Sequence, residues 1–308
     1  MANHEALMFP GQGSQYVGMG RKLESSRAAQ DVFLEADEAL RSFGWWDDIS
    51  LQDLCFNGPA DRLNDTIYAQ PAILTVDVAT WEDLASSGRD PAATIGHSLG
   101  EYAANVAARS MKFTDAVMVV GERGRLMKQA AEIRPGGMVA VVGLDLSLVE
   151  KLCARLREQT PGAIVQIANI NSPGQIIISG DEAALGNAAD YATEFGAKMV
   201  LRLPVTIAGH SELMRPAVAD MIHVLDSISF SEPRVPFYSP TTGGRVDSTI
   251  AIRALLIDQL TSGVDWVATI QQMIRDGYRT YLEVGPKKAL SRFVREIDSS
   301  VEVSTTNT

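Results

Sequence analysis

Short apolar runs alternate along the chain with longer stretches in which apolar residues recur every three or four positions. Residues 6–9 stand before a glycine-rich turn, 92–95 before Gly96, and 281–284 before Gly285-Pro286. Such runs predict buried strands, and the stretches between them predict helices. Strands alternating with helices imply βαβ units and a mostly parallel sheet. Between about 134 and 203 the rhythm changes. Residues 138–142 read as a strand, 146–157 as a helix, 163–170 and 175–179 as strands, 182–194 as a helix and 198–203 as a strand. That β-α-β-β-α-β order is ferredoxin-like. It opens after Arg134-Pro135-Gly136-Gly137 and closes before Pro204. The expected organisation is a large α/β domain from residues 1–133 and 202–308, with a small α+β domain, 134–201, inserted. The tail beyond Asp298 is expected to fray, and the sequence shows no repeats.

Composition narrows the class. The chain has 308 residues, 46% hydrophobic and 21% charged, as in a globular protein with a sizeable core. Lys and Arg number 27 against 38 Asp and Glu, a formal charge of −11 that argues against a nucleic-acid binder. Cys55 and Cys153 have no metal-ligand spacing, so neither a disulfide framework nor a metal site is expected. No apolar run reaches the length of a membrane span, and the segment Met1-Ala2-Asn3-His4-Glu5 lacks the basic region of a signal peptide. The expectation is a cytoplasmic monomer that binds neither nucleic acid nor membrane.

Gly96-His97-Ser98-Leu99-Gly100 is a G-x-S-x-G between a predicted strand and a predicted helix, the setting of a nucleophile elbow. A helix N-terminus there points backbone N–H groups at an oxyanion. Without that chemistry the same residues are a glycine-rich turn with a capping serine. A nucleophilic serine needs a base. His4 lies in the N-terminal arm, His97 should diverge from its neighbour, and His223 reads as a packed helix residue. His210, where the apolar strand 205–208 turns into a helix near Ser211, remains. On the helix predicted for 115–132, Ala116, Val119, Val120, Leu126 and Met127 form an apolar stripe that includes Arg123. An arginine facing a core needs an anionic partner, either a protein carboxylate in a salt bridge or a substrate carboxylate. Gly11-Gln12-Gly13 begins a dinucleotide fingerprint but has Tyr16 at its last position, so it reads as a polar loop beside a neighbouring site.

Six motifs in order carry a resemblance: Gly11-Gln12-Gly13-Ser14-Gln15, Gly96 through Tyr102, Arg123-Gly124, Asn171-Ser172-Pro173-Gly174-Gln175, Gly209-His210-Ser211 and Glu283-Val284-Gly285-Pro286. Over residues 6–297 the chain resembles the malonyl-CoA:acyl-carrier-protein transacylases, acyltransferases of fatty-acid and polyketide synthesis. The resemblance implies a hydrolase-like large domain with a ferredoxin-like insertion. It implies Ser98 as the acylated nucleophile, His210 as base, Gln12 and the Leu99 N–H as oxyanion donors, and Gln259 as the carbonyl that orients the histidine. It places Arg123, His97 and Gly209 at the acyl group, with Arg123 pairing the malonyl carboxylate. The implied substrates are a coenzyme A thioester such as malonyl-CoA and a phosphopantetheinyl acyl carrier protein, with no bound cofactor or metal.

Two positions depart from the family: Gly209, commonly Ser or Phe, and Arg109-Ser110, usually Ala-Gly. Glycine at 209 leaves room for an α-substituted malonyl unit. With a net charge of −11, any docking patch for an acidic carrier protein must be a local cluster of Lys and Arg. The competing readings are an editing acyl-carrier-protein hydrolase on the same fold and an inactive docking subunit. Arg123 argues against the hydrolase, because a plain acyl chain gains nothing from that charge.

Overall fold

The computed structural model describes residues 5–44 and 48–306. In chain order its strands are β1 (Glu5–Phe9), β2 (Ala93–Gly96), β3 (Gly136–Val142), β4 (Val165–Ser172), β5 (Gln175–Asp181), β6 (Met199–Arg202), β7 (Phe237–Ser239), β8 (Gly244–Val246), β9 (Val264–Asp265), β10 (Thr280–Glu283) and β11 (Glu302–Thr305). One sheet has the order β11-β10-β1-β2-β7-β8, parallel except that β8 returns antiparallel to β7. The other has the order β6-β3-β5-β4-β9.

A parallel sheet is covered on both faces, and β1 shows how. Leu7 and Phe9 join the core formed with helices Arg27–Ser42, Thr66–Ser86 and Phe113–Ile133. Ala6 and Met8 point the other way, into a core with Trp266, Tyr281 and Phe293. Every residue from Ala69 to Trp81 is buried, so the helix Thr66–Ser86 runs through the interior and carries its polar residues inside with it.

In the second sheet β6, β3, β5 and β4 are mutually antiparallel. Val139, Val141, Ile176 and Ile178 pack under helix Leu146–Gln159 and the helical segments Glu182–Leu185 and Ala188–Glu194. The opposite face presents Met138, Ala140 and Ile177 to a cavity between the sheets. Two residues from late in the chain extend this sheet: β9 pairs in parallel with β4, Asn169 opposite Val264 and Ile170 opposite Asp265.

Three expectations are corrected. The helix expected over 182–194 is two pieces, parted at Gly186-Asn187, where glycine is a poor helix former. No strand forms over 205–208; Pro204 has no N–H to donate, and the chain instead crosses to the large core, burying Ile207 and Ala208. The tail does not fray up to Thr306. It forms β11 on the edge of β10, with Val301 buried and the Thr306 N–H donating to the Glu283 carbonyl at 3.0 Å.

Candidate active site

Between β2 and the helix Gly100–Ala107 the chain turns within three residues. A Cβ on Gly96 would lie 2.0 Å from the Gly100 carbonyl carbon, and one on Gly100 would lie 2.1 Å from the Phe9 carbonyl oxygen. Neither position accepts a side chain. The turn holds Ser98 at φ +53°, a left-handed conformation that costs a non-glycine residue energy and is found where the surroundings demand it. Leu99 stands at the entry to the helix. The loop after β1 packs onto this turn, a Cβ on Gly11 falling 2.5 Å from the His97 carbonyl oxygen and 3.6 Å from the Leu99 nitrogen.

His210 is also left-handed, at φ +58°. Its Nε2 lies 2.7 Å from Ser98 Oγ. Its Nδ1 faces the carbonyl oxygens of Gln259 at 2.8 Å and Ser262 at 3.1 Å. Two acceptors hold the proton on Nδ1, which leaves the Nε2 lone pair for the serine hydroxyl. Burial, then Arg123 and His97, pull the imidazole pKa down to about 3, against the upward effect of the two carbonyls. Gln166 of β4 ties this loop down: its Nε2 donates to the carbonyls of His210 and Thr261, each at 3.1 Å, and its Oε1 accepts from the Glu212 N–H.

The other histidines sit elsewhere. His97 turns away from Ser98, with its Nε2 donating to Asn171 Oδ1 at 2.9 Å and its ring 5.5 Å from that of Trp266. Burial lowers its pKa. His223 does lie on a helix, Arg215–Asp226, but it is exposed rather than packed, because Ala217, Met221 and Leu225 form that helix's buried stripe. His4 lies outside the described residues.

Arg123 is 2% exposed. One terminal nitrogen donates to Gln70 Oε1 at 2.8 Å; the other donates to Gln259 Oε1 at 2.8 Å and stands 3.5 Å from Ser98 Oγ. Among the described residues no carboxylate forms a salt bridge with Arg123, and its Nε has no acceptor. The protein-carboxylate alternative is therefore not what the fold builds. Burial depresses the arginine's pKa, opposed by Tyr102 and Glu101.

Amides organise the rest. Besides orienting His210 through its carbonyl, Gln259 donates from Nε2 to the Ser98 carbonyl at 3.0 Å and to Glu101 Oε1 at 2.9 Å. Gln70 donates to Thr66 Oγ1 at 2.9 Å, and Thr66 donates to Gln12 Oε1 at 3.1 Å. Gln12, Ser98, Arg123 and His210 share a cavity of about 350 Å³ whose opposite wall includes Met138, Ile177 and Leu203. Gly209 lines it too, and a Cβ there would meet only Met127 Cε, at 3.5 Å.

Sequence reasoning missed Gln70, Glu101 and Gln166. The available signal was an isolated polar residue in an apolar element, Gln70 before Pro71-Ala72-Ile73-Leu74 and Gln166 between Val165 and Ile167. Among the described residues no group of side chains is set to hold a metal ion, and no helix is long and apolar enough to cross a membrane.

A serine hydroxyl engaged by a neutral imidazole at the wall of an open cavity suits acyl transfer. Residues 7–306 match the family described as the acyl transferase domain, and the chain belongs to that family. Within it, the malonyl CoA-acyl carrier protein transacylase of Bacillus subtilis is 40% identical, spanning 95% of this chain and 90% of its own. The transacylase structure from Coxiella burnetii superposes with a TM-score of 0.93 at 35% identity, covering 100% of this chain and 95% of that one. A malonyl-transacylase solved in complex with the acyl-carrier protein of a type II polyketide synthase gives 0.93 at 34% identity, covering 99% and 96%.

Proposed function

We propose that the protein moves a malonyl group from coenzyme A to the phosphopantetheine thiol of an acyl carrier protein, through an acyl ester on Ser98, in the cytoplasm. The observation that carries this reading is Arg123: a buried guanidinium, 3.5 Å from Ser98 Oγ, with no carboxylate partner among the described residues. A carboxylated acyl group on Ser98 supplies that partner, and an acyl group without one leaves the cation buried and unpaired.

His210 Nε2 takes the Ser98 proton as Oγ attacks the thioester carbonyl. The Leu99 N–H and Gln12, whose loop packs against the elbow, receive the oxyanion; one such donor is typically worth about 100- to 1,000-fold in rate. The tetrahedral intermediate collapses, the C–S bond breaks, and the coenzyme thiol leaves with the proton from His210. The carrier's thiol then gives a proton to His210 and attacks the acyl-serine, and the Ser98 oxygen recovers that proton. The Gln259 carbonyl holds the imidazole in place of a triad carboxylate. His97 and Gly209 border the acyl pocket, and the Met127 methyl beside Gly209 narrows the space that glycine leaves, which favours malonyl over an α-substituted unit. We assign residues 1–133 and 202–308 to the large domain and 134–201 to the insertion. The support is that the antiparallel β3–β6 and their helices fall almost wholly within the inserted stretch, with β6 running on to Arg202.

Intact-protein mass spectrometry tests the function. With malonyl-CoA the protein should gain a stable malonyl adduct, absent in Ser98→Ala, which passes to added phosphopantetheinylated carrier protein. Release of free malonate in place of an adduct identifies a hydrolase, and no adduct identifies an inactive subunit.

A further inference from the structure

Glu101 has no part in the mechanism above, yet it is fully buried and lies one amide away from Arg123. Its carboxylate accepts from Ser239 Oγ at 2.7 Å, Thr241 Oγ1 at 3.0 Å and Gln259 Nε2 at 2.9 Å. A carboxylate only accepts and a guanidinium only donates. Gln259 sits between them with its NH₂ toward Glu101 and its oxygen toward Arg123, so both charged groups dictate the same orientation of the amide. A direct Arg–Glu pair would occupy the guanidinium edge with a fork of two hydrogen bonds. With Gln259 interposed, Arg123 spends one N–H on Gln70 and one on Gln259 out of five, and its Nε remains without an acceptor.

We propose that Glu101 is a positioning residue for acyl-group selection: through Gln259 it balances the charge of Arg123 while the acyl site is empty, and it takes up a proton when a substrate carboxylate replaces it as the counter-charge. The proposal rests on Arg123 as the carboxylate receptor. One guanidinium does not balance two buried carboxylates, so one of them must give up its charge. The substrate carboxylate is the one that pairs directly, and Glu101, held by two hydroxyls that can reverse their donor roles, accepts a proton from solvent. Burial already raises Glu101 to about 7, and the charged group acting on it is Arg123. Tyr102, beside it on the same helix, is held neutral by burial, and burial pulls His210 across the site down to about 3, so neither changes charge near pH 7; burial lowers His97 as well.

The experiment reads the ratio of kcat/KM for malonyl-CoA to that for acetyl-CoA between pH 6 and 8, so that effects of the coenzyme, Ser98 and His210 cancel. In the wild type the ratio should fall as Glu101 ionises. In Glu101→Gln, which keeps the shape and an acceptor oxygen, it should be flat and about tenfold above wild type at pH 8, within the usual range of coupling between two sites. A Glu101→Gln ratio that follows the wild type across this range overturns the proposal. An Arg123→Ala ratio equal to that of the wild type overturns the carboxylate reading beneath it instead. A second measurement leaves Glu101 intact: calorimetry of malonyl-CoA binding to Ser98→Ala near pH 7, in two buffers of different ionisation enthalpy. Uptake of a fraction of a proton with malonyl-CoA and none with acetyl-CoA supports the proposal; no uptake, or equal uptake with both, overturns it.

Discussion

Replacing Arg123 with alanine separates recognition from architecture. The guanidinium makes two structural hydrogen bonds, to Gln70 and Gln259, and the nitrogen bonded to Gln259 also stands 3.5 Å from Ser98 Oγ. Losing the structural pair leaves two amide oxygens without a donor, a penalty common to every substrate. Losing the donors to a malonyl carboxylate affects malonyl alone. Hydrogen bonds to charged groups contribute about 1.5–3 kcal/mol each. Two of them give about 3–6 kcal/mol, and at about 1.4 kcal/mol per factor of ten the malonyl-to-acetyl ratio of kcat/KM should fall by about 100- to 10,000-fold. The assay is transfer from each acyl-CoA to carrier protein, with initial rates over a range of thioester concentration. Acetyl transfer should survive far better than malonyl transfer, because the bonds to Gln70 and Gln259 are made in the free enzyme and in the acylating complex alike, so their loss largely cancels from kcat/KM. Arg123→Lys should recover only part of the malonyl activity, because an ammonium restores the charge without the planar fork. Equal losses on both substrates would refute the reasoning and make Arg123 a purely structural cation.

The pH profile tests the base. His210 must be neutral to take the serine proton, and with its pKa lowered to about 3 it stays neutral well below the ordinary histidine range. With acetyl-CoA, which does not engage Arg123, kcat/KM should hold level from pH 8 down to about 5, where a histidine of pKa ~6.5 would already have lost about thirtyfold; a fall centred near 6.5 would show the imidazole to be solvated. Gly209→Phe projects a ring into the cavity beside Met127. It should lower the methylmalonyl-to-malonyl ratio of kcat/KM by about 10- to 200-fold, the usual reach of one methylene in a pocket, and an unchanged ratio would remove position 209 from the pocket wall.

The parts of this molecule that could be read in the sequence are those governed by local rules. β1, β2 and β10 are short apolar runs stopped by glycine, and their positions follow from that pattern. The β-α-β-β-α-β order of the second sheet is legible for the same reason. The elbow declares itself because Gly96 and Gly100 are required by close contacts within and beside one turn. What could not be read depends on partners distant in the chain. β11 looks like a polar tail because an edge strand needs apolar residues on one face only, and its ladder partner lies about twenty residues upstream. Whether Arg123 meets a carboxylate or an amide depends on Gln70 and Gln259, 53 and 136 residues away. The side chain of Gln259, as distinct from its carbonyl, carries no local mark of its three contacts.

The few residues from Gln259 to Asp265 make the two sheets inseparable as pieces of machinery. Gln259 and Ser262 hold the imidazole, Thr261 receives Gln166 of β4, and Val264 and Asp265 are the last strand of the second sheet. Chimera construction feels this directly. A donor's insertion grafted at 134–201 brings its own version of Gln166 and of the edge that β9 completes, while the host keeps the segment cut to fit the original. A workable exchange of pocket walls between homologues therefore has four cut sites rather than two, with 259–265 travelling alongside the insertion although almost sixty residues of unrelated chain lie between them.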